Sequence, residues 1–275
     1  MPLPKIKNIV IAVLLAANLF FLAIVLTDAI DDRRIEKETL ENLTALCENS
    51  GVSLMTSELA HDSEALIYTA RRSVEAEKKI AETLLGDTES RESGGNVYTY
   101  TGDRGKAVFR TGGDFTAELD PGALRAGGGP AKSVEKLLQD SGVTAETADV
   151  TELSGGTRVL TVCTLDRVKI WNCNIETVID GDSYITEMGG RVFCAGPARA
   201  SDSIVTSAPT AIVAFISAVR SGEVSCKEIR SVELGYIMSA TPFGETQLSP
   251  AWRVTADSGN YYIDAVNGEL FSGAL

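Results

Sequence analysis

One pattern recurs along the chain and limits the folds open to it: a helix-like segment stopped by glycine, followed by strand-like runs separated by glycine turns. Ser133 to Ser141 carries Val134, Leu137 and Leu138 at helical spacing and ends at Gly142. The runs Arg158–Leu165, Lys169–Ile179, Ser183–Glu187 and Gly190–Cys194 then read as strands. The pattern returns with an Ala-, Ile- and Val-rich helix from Thr206 to Ser221, closed by Gly222. Behind it come Val224–Ser239, Leu248–Ala256, Asn260–Val266 and Glu269–Ser272, with Asn267-Gly268 as a strong hairpin signal. A shorter copy runs from Ser73, a helix cap, through Leu85 and Gly86 into a meander over residues 96–119, which is turned at Gly102-Asp-Arg-Gly105 and at Gly112-Gly113. The expected fold class is α+β, in which each repeated unit packs a helix on one face of an antiparallel sheet and leaves the other face open.

Ahead of the repeats, Ile9 to Leu26 reads IVIAVLLAANLFFLAIVL, with Asn18 as its one strongly polar member. At about 1.5 Å per residue this helix covers roughly 27 Å, close to the hydrocarbon thickness of a bilayer, and it is longer than the apolar core of a secretory signal. The expectation is an uncleaved transmembrane helix, with Ile9, Leu14, Leu19 and Leu26 among its anchoring residues. Lys5 and Lys7 precede it and Asp28, Asp31 and Asp32 follow it, which favours a cytoplasmic amino terminus and an outer body. Asn18, near mid-span, would need a hydrogen-bond partner and is a candidate contact to a neighbouring membrane helix. Asp32 to Ser50 then reads as a stalk helix stopped by Gly51, and Val52–Met55 and Ala65–Ala70 as short strands. The glycine-rich run Gly127–Gly129 reads as a linker. The expected division is therefore residues 1–27 for tail and membrane helix, 28–126 for stalk and first α+β unit, 131–200 for the second unit and 201–275 for the third.

Charge and residue inventory narrow the function. The net charge is −13, and residues 1–27 hold two lysines and no acid, so the outer body is more acidic still and phosphate backbones would be repelled. Five cysteines, Cys47, Cys163, Cys173, Cys194 and Cys226, form no C-x-x-C pair, and thiols are expected rather than a disulfide framework, with Cys163 and Cys173 the pair that a hairpin could bring face to face. The single histidine, His61, has no nucleophile elbow with it. The acids Glu75, Glu77, Glu82, Asp87, Glu89 and Glu92 read as solubilising faces, and Asp180-Gly-Asp182 reads as a turn rather than a calcium loop. No catalytic, metal-binding or cofactor-binding residues emerge, and none is expected. Trp252, Arg253 and Tyr262, on the last strands, are candidate partner contacts. Strand alternation sends Tyr261 and Tyr262 to opposite faces.

The order Lys-Ile-Lys-Asn from residue 5, Ala-Asn-Leu-Phe-Phe-Leu from residue 17 and Leu-Cys-Glu-Asn-Ser-Gly-Val-Ser-Leu from residue 46 resembles the start of the YycI branch of the YycH/YycI proteins. The segments Leu248-Ser-Pro-Ala-Trp-Arg-Val254 and Tyr261-Tyr-Ile-Asp-Ala-Val-Asn-Gly-Glu-Leu270 are similar to the end of the same family and to PepSY-like sheets. The resemblance implies a single-pass accessory protein of low-GC Gram-positive bacteria that contacts the WalK sensor histidine kinase, together with a YycH-like protein, and adjusts cell-wall signalling without a cofactor or catalytic residues. The alternative expectation is a PepSY-like envelope module that inhibits or chaperones a secreted hydrolase.

Overall fold

The computed structural model describes residues 34–56, 65–193, 198–203, 205–241 and 245–271. The apolar segment with Ile9, Leu14, Asn18, Leu19 and Leu26, and likewise His61 and Cys194, lies outside the described residues. Among those described, no helix is long and apolar enough to cross a membrane.

Helix α1 covers residues 34–49. It is followed by β1 (Ser53–Leu54), β2 (Ala65–Ala70) and α2 (Val74–Leu85), then by the meander β3 (Thr88–Ser93), β4 (Val97–Gly102), β5 (Gly105–Phe109) and β6 (Asp114–Leu119). Helix α3 (Pro130–Ser141) precedes β7 (Ala145–Leu153), β8 (Gly156–Leu165), β9 (Val168–Asp180) and β10 (Ile185–Arg191). The chain closes with β11 (Ala198–Ser203), α4 (Ala208–Ser221), β12 (Glu228–Ala240), β13 (Thr246–Ala256) and β14 (Gly259–Asp264). The architecture is α+β, a mixed sheet with a few helices.

Local chemistry accounts for the helices. Ser73 caps α2 by accepting from the Ala76 amide at 3.2 Å, and Ile80, Ala81, Leu84 and Leu85 form its buried stripe. Helix α3 starts at Pro130, a residue suited to a first turn because its missing N–H is not needed there. Gly142 and Gly222 end α3 and α4 in the left-handed region, at φ 90° and 82°. Helix α4 packs Ala211, Ile212, Phe215 and Ile216 into one cluster with Leu43 and Cys47 of α1 and with Trp252, Val254 and Ile263 of the sheet, and turns Thr210, Val213, Ser217 and Arg220 outward.

The repeated units are fused rather than separate. Strand β6 pairs with β10, placing Glu118 opposite Glu187, so the two meanders form one antiparallel run β3-β4-β5-β6-β10-β9-β8-β7. Its inner face carries Tyr100, Phe109, Phe115, Val159 and Ile175 beneath α2 and α3. Its outer face is wet, with the cross-strand row Thr101, Lys106, Glu118, Glu187, Val178, Arg158 and Thr151. The remaining strands join through one parallel contact, Ile170 of β9 opposite Tyr236 of β12.

The structure differs from several sequence expectations. The acid-rich stretch after Gly86 contributes an edge strand, β3, and two further strands, β7 and β11, appear where none was expected. The glycine run expected to act as a linker is tied in place: Ala126 N donates to Ser183 O at 2.8 Å, and the Ser133 hydroxyl donates to the carbonyls of Gly127 and Gly129. The hairpin at Asn267-Gly268 forms, but its second arm is reduced to a single bridge between Ile263 and Leu270. Cys163 and Cys173 are both buried, and their sulfurs lie near different groups, the Arg191 carbonyl at 4.0 Å and the Met238 sulfur at 3.5 Å.

Candidate interaction surface

Strands β12, β13 and β14 turn one face to α4 and the other away from it. Register places Glu233, Arg253 and Tyr262 in one row across the outward face. Trp171 reaches this face from β9. The first part of β9 stays paired with β8, runs beyond its pairing with β10 and meets β12 on that side, and the Asn172 side chain extends the contact, since its amide donates to Met238 O and its carbonyl accepts from Met238 N, both at 2.8 Å. Trp171 then lies against Gly235, where a Cβ would come within 2.4 Å of the indole. Its Nε1 donates to Ala251 O at 3.4 Å.

Charge is arranged around that indole. The Arg253 guanidinium sits 4.0 Å from the ring centroid and donates to Glu233 Oε2 at 3.0 Å, while Lys169 Nζ lies 3.8 Å from the same carboxylate. Glu233 is thus shared by two cations. Arg253 Nε is buried without a partner, so the guanidinium is held by its ring and its carboxylate rather than by full satisfaction of its donors. Tyr262, half-buried, packs against Trp171, Ile237 and Ala251. Burial pushes its phenol above the ordinary value, and Arg253 pulls the other way. Arg253 keeps 22% of its side-chain surface and Glu233 keeps 40%, so the row stays within reach of a partner.

Of the candidate residues, Arg253 and Tyr262 therefore fall together on the outward face. Trp252 does not. It is fully buried under α4 and donates from Nε1 to Thr206 O at 2.8 Å, which removes it from any contact surface and makes it core. Tyr261 also turns to the α4 side, against Phe215 at 5.2 Å. The residues missed in the sequence are Trp171, Lys169 and Glu233; the cue was a tryptophan and a lysine at the start of an unusually long strand, but the pairing that brings them to β12 leaves no local mark.

A second concavity lies where α2 begins, a cleft of about 180 Å³ bordered by Arg72, Glu77, Thr111, Val192, Phe193 and Met238. Arg72 is already committed, with Nε and one terminal nitrogen on the two oxygens of buried Glu77 at 2.6 and 2.9 Å and its plane over Tyr98 at 5.1 Å. The walls left for a ligand are mostly apolar. Asp180 Oδ1 accepts from the amides of Asp182 and Tyr184, so this carboxylate staples a turn. Among the described residues no group of three or more His, Cys, Asp or Glu is placed to hold a metal ion.

No family model matches the sequence, and no curated protein matches it. Solved structures do resemble it. An uncharacterised protein of Eubacterium rectale, at 11% identity and a TM-score of 0.52, covers 81% of this chain and is itself covered over 90%. The C-terminal domain of Bacillus megaterium YpeB, also at 11% identity, aligns over 73% of this chain and 96% of its own length with a TM-score of 0.39. The first likeness shows a shared fold and nothing about activity; the second is too loose to bear on either.

Proposed function

We propose that this chain is a membrane-tethered, non-enzymatic regulator of the YycI type, built from PepSY-like units, which binds a two-component sensor histidine kinase outside the cytoplasmic membrane and biases its signalling for cell-wall metabolism. The observation that carries the reading is the outward row Glu233–Arg253–Tyr262 braced by Trp171. Arginine and aromatic side chains held rigid on an open sheet face are the composition of protein-binding hot spots, because their rotamers are fixed before a partner arrives. The apolar segment from Ile9 to Leu26 supports the tether. Confinement to the membrane plane raises the effective concentration beside the kinase, so a modest outer interface suffices. For regulation, the chain has to bind one signalling state of the kinase better than the other.

The test is capture of the kinase from detergent-solubilised membranes by the full-length chain and by its Arg253→Glu and Tyr262→Ala variants. Recovery of the kinase is expected to fall at least tenfold in Arg253→Glu, an effect of about 1.4 kcal/mol or more. Equal recovery by all three proteins would remove this face from the interface. A deletion strain with unchanged cell-wall gene output would remove the regulatory role itself. Inhibition of a secreted hydrolase by a version lacking residues 1–27 would instead favour the envelope-inhibitor alternative.

A further inference from the structure

Cys47 and Cys226 stand 179 positions apart in the sequence and end in one apolar cluster. Cys47, in the last turn of α1, is fully buried, and Cys226, just ahead of β12, keeps 8% of its surface. The backbone joins their surroundings through two consecutive amides: Val52 N donates to Cys47 O at 3.0 Å, and Ser53 N donates to Lys227 O at 2.8 Å. Strand β1 then runs parallel to β12 with Ser53 opposite Glu228. The cluster that holds both cysteines includes Leu43, Val52, Val224 and Ile229, apolar side chains that bring no competing nucleophile.

We propose that Cys47 and Cys226 are a latent disulfide pair, which closes when the folded protein meets a disulfide oxidant such as a thiol–disulfide oxidoreductase or oxidised glutathione. Cys226, the more exposed of the two, gives up its proton and attacks one sulfur of the donor disulfide, whose S–S bond breaks and releases the first donor thiolate. Cys47 then attacks the Cys226 sulfur, forming the Cys47–Cys226 bond and releasing the second donor thiolate. The two thiol protons pass to the two released thiolates. The cysteine pair loses two electrons and the donor gains them. The bond would fasten α1, the element that follows the apolar amino-terminal segment, to the start of β12, and so fix the tether to the carboxy-terminal sheet. This inference concerns the molecule alone and stands whether or not the kinase is the partner.

Burial, more than any neighbour, pushes the Cys226 thiol up to about 11, with the nearby Asp257 and Cys47 adding to the rise. Its thiolate is therefore scarce at neutral pH, and closure should speed up roughly tenfold for each unit of pH below that value. The experiment treats the full-length protein in detergent with oxidised glutathione under native conditions at about pH 7 and about pH 9, blocks remaining thiols, and maps peptides without reduction. The expected result is a linked peptide joining Cys47 to Cys226, an intact mass lower by two hydrogens, and roughly a hundredfold faster appearance at the higher pH. The link should be lost in Cys47→Ser and in Cys226→Ser. Recovery of both cysteines as blocked thiols after exposure at the higher pH, or a linked peptide that joins either of them to another cysteine, would overturn the proposal. That readout is on the unaltered protein and holds even if a serine variant fails to fold.

Discussion

Asn172 supplies from its side chain the donor and acceptor that a neighbouring peptide would otherwise offer Met238, at the point where the two halves of the sheet meet. Removing it strands a buried N–H and a buried carbonyl, which costs about 1–3 kcal/mol for each group left unpaired. Asn172→Ala is accordingly expected to lower stability by about 2–3 kcal/mol, read as a lower urea midpoint with little change in slope. Glu135 holds a different joint: its Oε1 accepts from both the amide and the hydroxyl of Thr147, at 2.9 and 2.6 Å, fixing α3 to β7. The Thr147 hydroxyl and amide hold its carboxyl below the ordinary value of 4.5. A depressed folded value means the contribution is complete above the unfolded value and is lost as the pH falls through the folded one. Wild type should therefore exceed Glu135→Gln in stability at neutral pH, and the gap should close as acid unfolding curves are followed below pH 4.5. Neither role was legible in the sequence. A polar residue inside an apolar strand, or a glutamate on a helix, acquires such a partner only when distant strands arrive beside it.

The helices and the inner strands were legible because burial writes a period into them, as in Ile80, Leu84 and Leu85 of α2 or in the alternation of Phe115, Ala117 and Leu119 along β6. Glycine stops after the helices were equally plain, and Gly142 and Gly222 occupy the left-handed conformation that such stops use. The strands that escaped reading, β3, β7 and β11, are all edges: each pairs with one neighbour only. Edges are kept polar, as in the Thr-Glu-Ser-Arg-Glu-Ser of β3, because an apolar edge would recruit other chains, and polar residues leave no alternation to detect. The fused register also has a measurable consequence. Glu118 and Glu187 face each other directly across the seam between β6 and β10, and like charges in that position repel. Glu187→Lys should raise stability by about 0.5 kcal/mol at low salt, checked by urea titration, and the gain should fade as salt is added. A loss of stability would mean that the seam does not have this register.

Among the described residues, an outer face of wet antiparallel sheet lies beside a braced Arg–Trp–Tyr cluster, with α2, α3 and α4 on the opposite, inner side of their strands. The recurrence of helix and meander was visible in the sequence; that the copies share one sheet was not, because the decisive pairings, β6 with β10 and β9 with β12, join residues about 60 or more positions apart. The same long-range pairing built the candidate surface, which explains why Arg253 and Tyr262 could be picked out while Trp171 could not. Function on this account depends on a body held permanently at the outer side of the membrane. Intact cells treated with a protease that cannot enter them, followed by mass spectrometry of the membrane fraction, address that directly. The account predicts a protected peptide that begins at the amino terminus and runs through Leu26, in a membrane fraction that alkaline carbonate does not strip, with the remainder digested. Recovery of the chain from the culture medium with its first residue near Asp28 or Ile30 would contradict it.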